Sequence, residues 1–145
     1  MSATGDDAAP SAQAGTTLVE ALAVVAITAL VAMIGFPRMQ QGLLTLAQRQ
    51  TVSAVAARLR QSRAEALRHD APVIFTVAAD GRAYGEPGGI PVPAPPGVTL
   101  STSTGRIAFF GDGSSSGGLV WVSGGRRAIA VIVSAPAGAV AVGPG

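Results

Sequence analysis

Glu20 is the residue whose surroundings most plainly demand chemistry. It heads an apolar run in which residues 21–36 carry no charge. An ionised carboxylate in such a setting is costly and takes a partner, most simply a cation. The acids beyond it, Glu65, Asp70, Asp80, Glu86 and Asp112, fall largely in turns or at helix ends. Carboxylates there usually serve backbone amides. His69 stands beside Asp70, but no second ligand or nucleophile is spaced to complete a metal or catalytic set. A histidine at a helix end is favoured by the macrodipole alone. The serines at 114–116 lack the strand–turn–helix frame of a nucleophile elbow. The glycines of residues 111–118 lack a phosphate-binding lysine and join two predicted strands, so the segment is expected to be a hairpin connection. With no cysteine there is neither a disulfide framework nor a thiolate metal site. No enzymatic activity, metal or cofactor is expected.

The element that must position Glu20 is a helix. If it starts near Thr16, about 21 residues at ~1.5 Å each give roughly 30 Å, the thickness of a bilayer core. Thr17-x-x-Glu20 also fits a capping box, in which Glu20 would only satisfy free amides at the helix start. A secretory signal peptide would need a basic segment before the apolar core, and residues 1–15 hold Asp6 and Asp7 but no Lys or Arg. Beyond Pro37 the helical period resumes. Val52, Val55, Leu59 and Ala66 form one apolar stripe, with Arg49, Arg58, Arg60, Arg63 and Arg68 largely off it. Pro37 should therefore kink the helix without ending it. The stop is expected at His69-Asp70-Ala71-Pro72, because a proline disfavours helix at the residue before it.

From residue 72 the pattern changes to short strands and turns. Residues 73–77 are rich in β-formers, and Asp80-Gly81 signals a hairpin into 82–84. Residues 85–97 read as an exposed loop. Strands are expected at 98–101, 107–110, 119–122, 128–133 and 139–142, with a last turn at 135–138. At 145 residues there is room for one anchor and one small domain. Aromatics are only 4% of the chain, so the core must be built from Val, Ile, Leu and Ala. The expected class is α+β: a long amino-terminal helix packed on an antiparallel sheet of five to seven strands.

Gly15, Glu20 fifth after it, Pro37 twenty-second after it and the unbroken apolar run resemble the signal of type IV prepilins and type II secretion pseudopilins. The segment Ile107-Ala108-Phe109-Phe110-Gly111-Asp112-Gly113, with its Ser/Gly run, resembles H-type minor pseudopilins and FimT-like minor pilins. So does the helix end Arg63-x-Glu65-Ala66-x-Arg68. The resemblance implies a leader over 1–15 and cleavage by a prepilin peptidase between Gly15 and Thr16. It implies methylation of the new Thr16 amine, and pairing of Glu20 with a neighbouring subunit's amine. It divides the remainder into a transmembrane assembly helix over 16–37, an amphipathic continuation over 38–71 and a β-sheet domain over 72–145. Thr16 stands where the family most often has phenylalanine.

The implied role is a minor pseudopilin of the type II secretion pseudopilus, supporting protein export across the outer membrane. The implied partners are the prepilin peptidase, other major and minor pseudopilins and the inner-membrane assembly platform. The implied location is the bacterial inner membrane, single-pass, with a periplasmic carboxy-terminal domain. Arg38, just past the helix, would by the positive-inside rule favour the opposite orientation; the orientation implied by the resemblance is the one adopted. The alternative is a FimT-like minor pilin acting in pilus assembly or DNA uptake. Arg126 and Arg127, adjacent in the predicted turn Gly124-Gly125-Arg126-Arg127, are its candidate DNA contacts, since exposed arginines neutralise phosphates in a salt-sensitive way. They lack the interleaved aromatics of a base-stacking surface.

Overall fold

The computed structural model describes residues 12–144; the side chains of residues 12–16 and 37 are outside the described set. Residues 1–11 of the expected leader also lie outside it. The elements are a helix α1 (Ala12–His69) followed by eight strands. The chain divides into two compact units, Met1–Met39 and Gln40–Gly145.

In the first unit α1 exposes its apolar side chains on every side: Leu18, Val19, Leu22, Val24, Val25, Ile27 and Leu30 are all exposed. It is long and apolar enough to cross a membrane by length and composition. Thr28, the polar residue inside the run, donates its hydroxyl to the Val24 carbonyl at 2.7 Å, which satisfies it within the helix. The backbone stays helical through position 37, as expected if the proline does not end the helix. The start differs from expectation. Helix begins at Ala12, ahead of Thr16, so Thr17 and Glu20 stand inside it and no acid occupies its first turn. In the uncut chain Glu20 therefore does not cap a helix end.

In the second unit the helix buries its expected stripe: Val52, Val55, Leu59 and Ala66 are in the core. Intervals of three and four keep them on one face. The helix stops where expected. Asp70 takes the left-handed conformation (φ 46°), and the Ala71 amide reaches back to the Ala66 carbonyl at 3.3 Å. That is a Schellman-type ending with Pro72 just beyond it.

The strands are β1 (Val73–Val77), β2 (Ala83–Gly85), β3 (Val92–Pro93), β4 (Thr99–Thr102), β5 (Arg106–Phe109), β6 (Gly118–Ser123), β7 (Ile129–Val133) and β8 (Val140–Pro144). They form two four-stranded antiparallel sheets, ordered β3-β2-β1-β5 and β4-β6-β7-β8, where one sheet of five to seven strands was expected. The loop expected over 85–97 also contains the short strand β3, which pairs with β2. The expected hairpins at Asp80-Gly81, at 124–127 and at 135–138 are present, joining β1 to β2, β6 to β7 and β7 to β8.

Residues 111–118 turn back on β5, with an antiparallel bridge from Phe109 to Ser115, but they do not join two paired strands as a hairpin connection would. β5 pairs with β1 while β6 pairs with β4 and β7, so this segment crosses from one sheet to the other. Ser115 explains how. Its side chain is buried and donates to the Ser134 carbonyl at 2.9 Å, and its amide reaches the Ala135 carbonyl at 2.9 Å. Ser116 donates its amide to the Ala108 carbonyl at 2.8 Å. The serine run thus staples β5 to the β7–β8 turn. Gly117 must be small and left-handed there (φ 67°), since a Cβ would lie 3.0 Å from that of Ala135.

Three polar residues join the buried helix face: Gln48, Thr51 and Ser62. Gln48 donates both hydrogens of its amide, to the Val122 carbonyl at 2.8 Å and the Arg127 carbonyl at 2.8 Å. It thereby ties the β6–β7 hairpin to the helix. Gln48→Leu keeps the volume but removes both donors. A buried carbonyl left unsatisfied, as at Val122, costs about 1–3 kcal/mol, and the part-buried Arg127 carbonyl costs less. The expected loss is about 2–4 kcal/mol, read as a lower melting temperature of the full chain in detergent. Gln61→Leu, which loses only an exposed bond to Glu65, should melt nearly as the parent does.

Candidate assembly site

The Glu20 side chain is exposed on α1, surrounded along the helix by the apolar residues of the first unit. Gly15 and Thr16 are helical in backbone, one turn before Glu20. Residues 16 and 20 are spaced to share one helix face. A carboxylate on that face, in an otherwise apolar segment, can do one useful thing: hold a cation that lipid cannot solvate. Pro37 follows at the far end of the run.

The acids of the second unit serve structural ends. Asp80 accepts the Arg82 amide at 3.0 Å. Asp112 accepts the amide and hydroxyl of Ser114 at 2.9 and 2.6 Å, and these bonds hold its pKa below the ordinary carboxylate value. Glu65 accepts from Gln61 at 2.9 Å. Glu86 pairs with Arg58 at 3.1 Å and accepts the buried Ser62 hydroxyl at 3.3 Å. Burial raises the pKa of nearby Tyr84, and the Arg58 charge opposes that rise. Among the described residues no cluster of three or more His, Asp or Glu could hold a metal ion.

Two groups stand out among the arginines. Arg63 reaches the Gly113 carbonyl at 3.2 Å and Arg60 the Val140 carbonyl at 3.4 Å, so with Arg58 they bind the helix to the sheets. Arg126 and Arg127 are exposed in the β6–β7 turn, with the Arg127 carbonyl held by Gln48. Sequence reasoning missed Gln48 and Ser62. Both fall on the same helical stripe, at the intervals that join Val52, Val55, Leu59 and Ala66.

No protein-family model matches the chain. A type II secretion system protein H of Xanthomonas campestris pv. campestris is 28% identical over 116 residues, covering 73% of this chain and 69% of that protein. Two crystal forms of the type IV minor pilin FimU of Pseudomonas aeruginosa share the fold. One has a TM-score of 0.52 at 16% identity, covering 66% of this chain and 92% of that one. The other has a TM-score of 0.51 at 15% identity, covering 74% and 93%. With an apolar amino-terminal helix and two antiparallel sheets, the chain has the type IV pilin fold and a sequence similar to a type II secretion H protein.

Proposed function

We propose that the protein is a minor pseudopilin, a structural subunit of a type II secretion pseudopilus that supports protein export. The observation that carries this reading is the likeness to a type II secretion H protein, in a chain whose apolar helix bears one carboxylate near its start. The role is architectural. A prepilin peptidase removes residues 1–15, and the Thr16 amine is methylated. The helix over 16–37 is held in the inner membrane until the assembly platform feeds it among the helices of other pseudopilins. Glu20 then sets the register by pairing with a neighbour's amine, and Pro37 bends the helix where it leaves the apolar layer. The sheets stand in the periplasm and meet neighbouring subunits or secreted protein.

Co-expression with a prepilin peptidase tests the first step. Intact mass and amino-terminal sequencing should show a product beginning at Thr16, one methyl heavier than the bare chain. A chain still carrying residues 1–15 would remove the filament role.

A second reading, a minor pilin of a DNA-uptake pilus, draws on the exposed pair Arg126 and Arg127, with no ion-pair partner among the described residues. Arg126→Ala with Arg127→Ala separates the two. In the secretion reading the double variant retains duplex DNA as the parent does. A selective loss of DNA retention, with secretion unchanged, would favour the uptake pilus. Removing two phosphate-neutralising charges would also lower the salt dependence of binding by a slope of roughly 2.

A further inference from the structure

We propose that the outer face of the β3-β2-β1-β5 sheet carries a docking groove for an apolar, acidic segment of a partner protein. The groove encloses about 470 Å³, within the usual range for sites that hold small ligands or side chains. Ile74 and Ala108, directly opposite each other on β1 and β5, form its floor. Pro72 and Phe110 form one wall, and Phe110 keeps 41% of its surface exposed. Arg106 stands at the other end, exposed and with no ion-pair partner among the described residues.

The backbone that carries Phe110 is fixed. The Phe110 amide donates to the Ser114 carbonyl at 3.0 Å, and its carbonyl accepts the Gly113 amide at 3.0 Å. A wall held on both sides loses little entropy on binding. The free edge of β5 is unavailable at this point. The Ala108 amide donates to the Ser116 hydroxyl at 3.0 Å, and its carbonyl accepts the Ser116 amide at 2.8 Å. A partner cannot add here as another strand, so recognition falls to its side chains.

Charge complementarity selects the occupant. Every arginine of the chain lies beyond Pro37, against only Glu65, Asp70, Asp80, Glu86 and Asp112 there. Glu86 is already paired with Arg58. Within the groove Arg106 is the one charged lining residue, and an unpaired guanidinium next to an apolar floor suits a carboxylate beside Leu- or Ile-like side chains. A guanidinium–carboxylate contact next to a desolvated apolar anchor is the stronger form of such a pair.

This inference rests on the pseudopilin reading only for the partner's setting, so its test does not use filament assembly or processing. The full chain in detergent micelles is titrated with a rhodamine-labelled peptide of alternating Leu and Asp, followed by anisotropy. The expected result is saturable binding, weaker by roughly tenfold or more when Asn replaces every Asp. Arg106→Ala should cost a similar factor, and Arg49→Ala, at an exposed helix position, should cost nothing. Arg106→Glu should transfer preference to the peptide with Lys in place of Asp, which a damaged fold would not do. Equal binding of the Asp and Asn peptides, or no saturation up to about 1 mM peptide, would overturn the proposal. So would duplex DNA competing for the Arg106-dependent site more strongly than the acidic peptide. Normal cleavage at Gly15 alongside failed peptide binding would defeat the groove and leave the pseudopilin reading standing.

Discussion

Gly15→Val is expected to leave the chain at full length in cells that carry a prepilin peptidase, while the parent is shortened to Thr16. The reasoning begins with backbone freedom. The helix runs continuously from Ala12 across positions 15 and 16, and a peptidase must reach the peptide bond between them. Glycine inside a helix costs roughly 0.5–1 kcal/mol relative to alanine, because it loses the most conformational freedom on ordering. Gly15 is thus a weak link at the point where the helix has to open. Valine strengthens neither the opening nor the approach. Its branched side chain restricts the backbone and places bulk beside the scissile bond.

Gly15→Ala should be cut more slowly than the parent and more completely than Gly15→Val. Gly35→Val and Gly42→Val supply the control, since a Cβ at either position meets nothing within 4 Å. Both should be processed normally. Intact mass reads all four variants. Cleavage of Gly15→Val between 15 and 16 at the parental rate would remove the assignment of Gly15 as the recognition residue.

What was legible in the sequence is what depends on local period. The stripe through Val52, Val55, Leu59 and Ala66, the stop at His69 and the turns at Asp80-Gly81 and 135–138 follow from spacing and from residues with narrow backbone preferences. These signals act within a few residues of themselves. Sheet membership does not. Whether β5 and β6 are neighbours depends on what each meets across the domain, and Ser115 settles it by bonding to Ser134, a residue far along the chain. A serine–glycine run has the same composition whether it turns a hairpin or bridges two sheets. The same holds for Gln48. A glutamine at a core-facing helical position is a polar interruption until its two carbonyl partners are known. Glu20 draws notice for the opposite reason, because one charge in an apolar run needs no tertiary context to stand out.

Glu20→Ala should leave insertion, folding and cleavage intact and sharply reduce incorporation into the filament. Insertion should if anything improve, because the change removes the one charged side chain of the apolar segment. Folding of the second unit should be untouched, since its core is built from residues beyond Gln40. What is lost is a partner for an ammonium group in a medium with no water to solvate it. If cleavage falls after Gly15, the new Thr16 amine and Glu20 lie one helical turn apart, and on the proposed reading each subunit satisfies its own pair while it waits in the membrane. On the proposed reading, joining exchanges that pair for a neighbour's, which avoids the net cost of moving a charge through lipid. Alanine strands the neighbour's amine.

A hydrogen bond to a charged group is worth about 1.5–3 kcal/mol, so against a wild-type competitor the variant should be under-represented by roughly 10–100-fold. Quantifying both forms in sheared filaments from cells expressing them at equal levels reads this directly. Glu20→Gln separates charge from shape. It keeps an acceptor of the same length but cannot neutralise an ammonium, and should fall nearer to alanine than to the parent. If alanine and glutamate enter filaments equally, Glu20 does not set the register, and the pairing must be sought elsewhere on the helix.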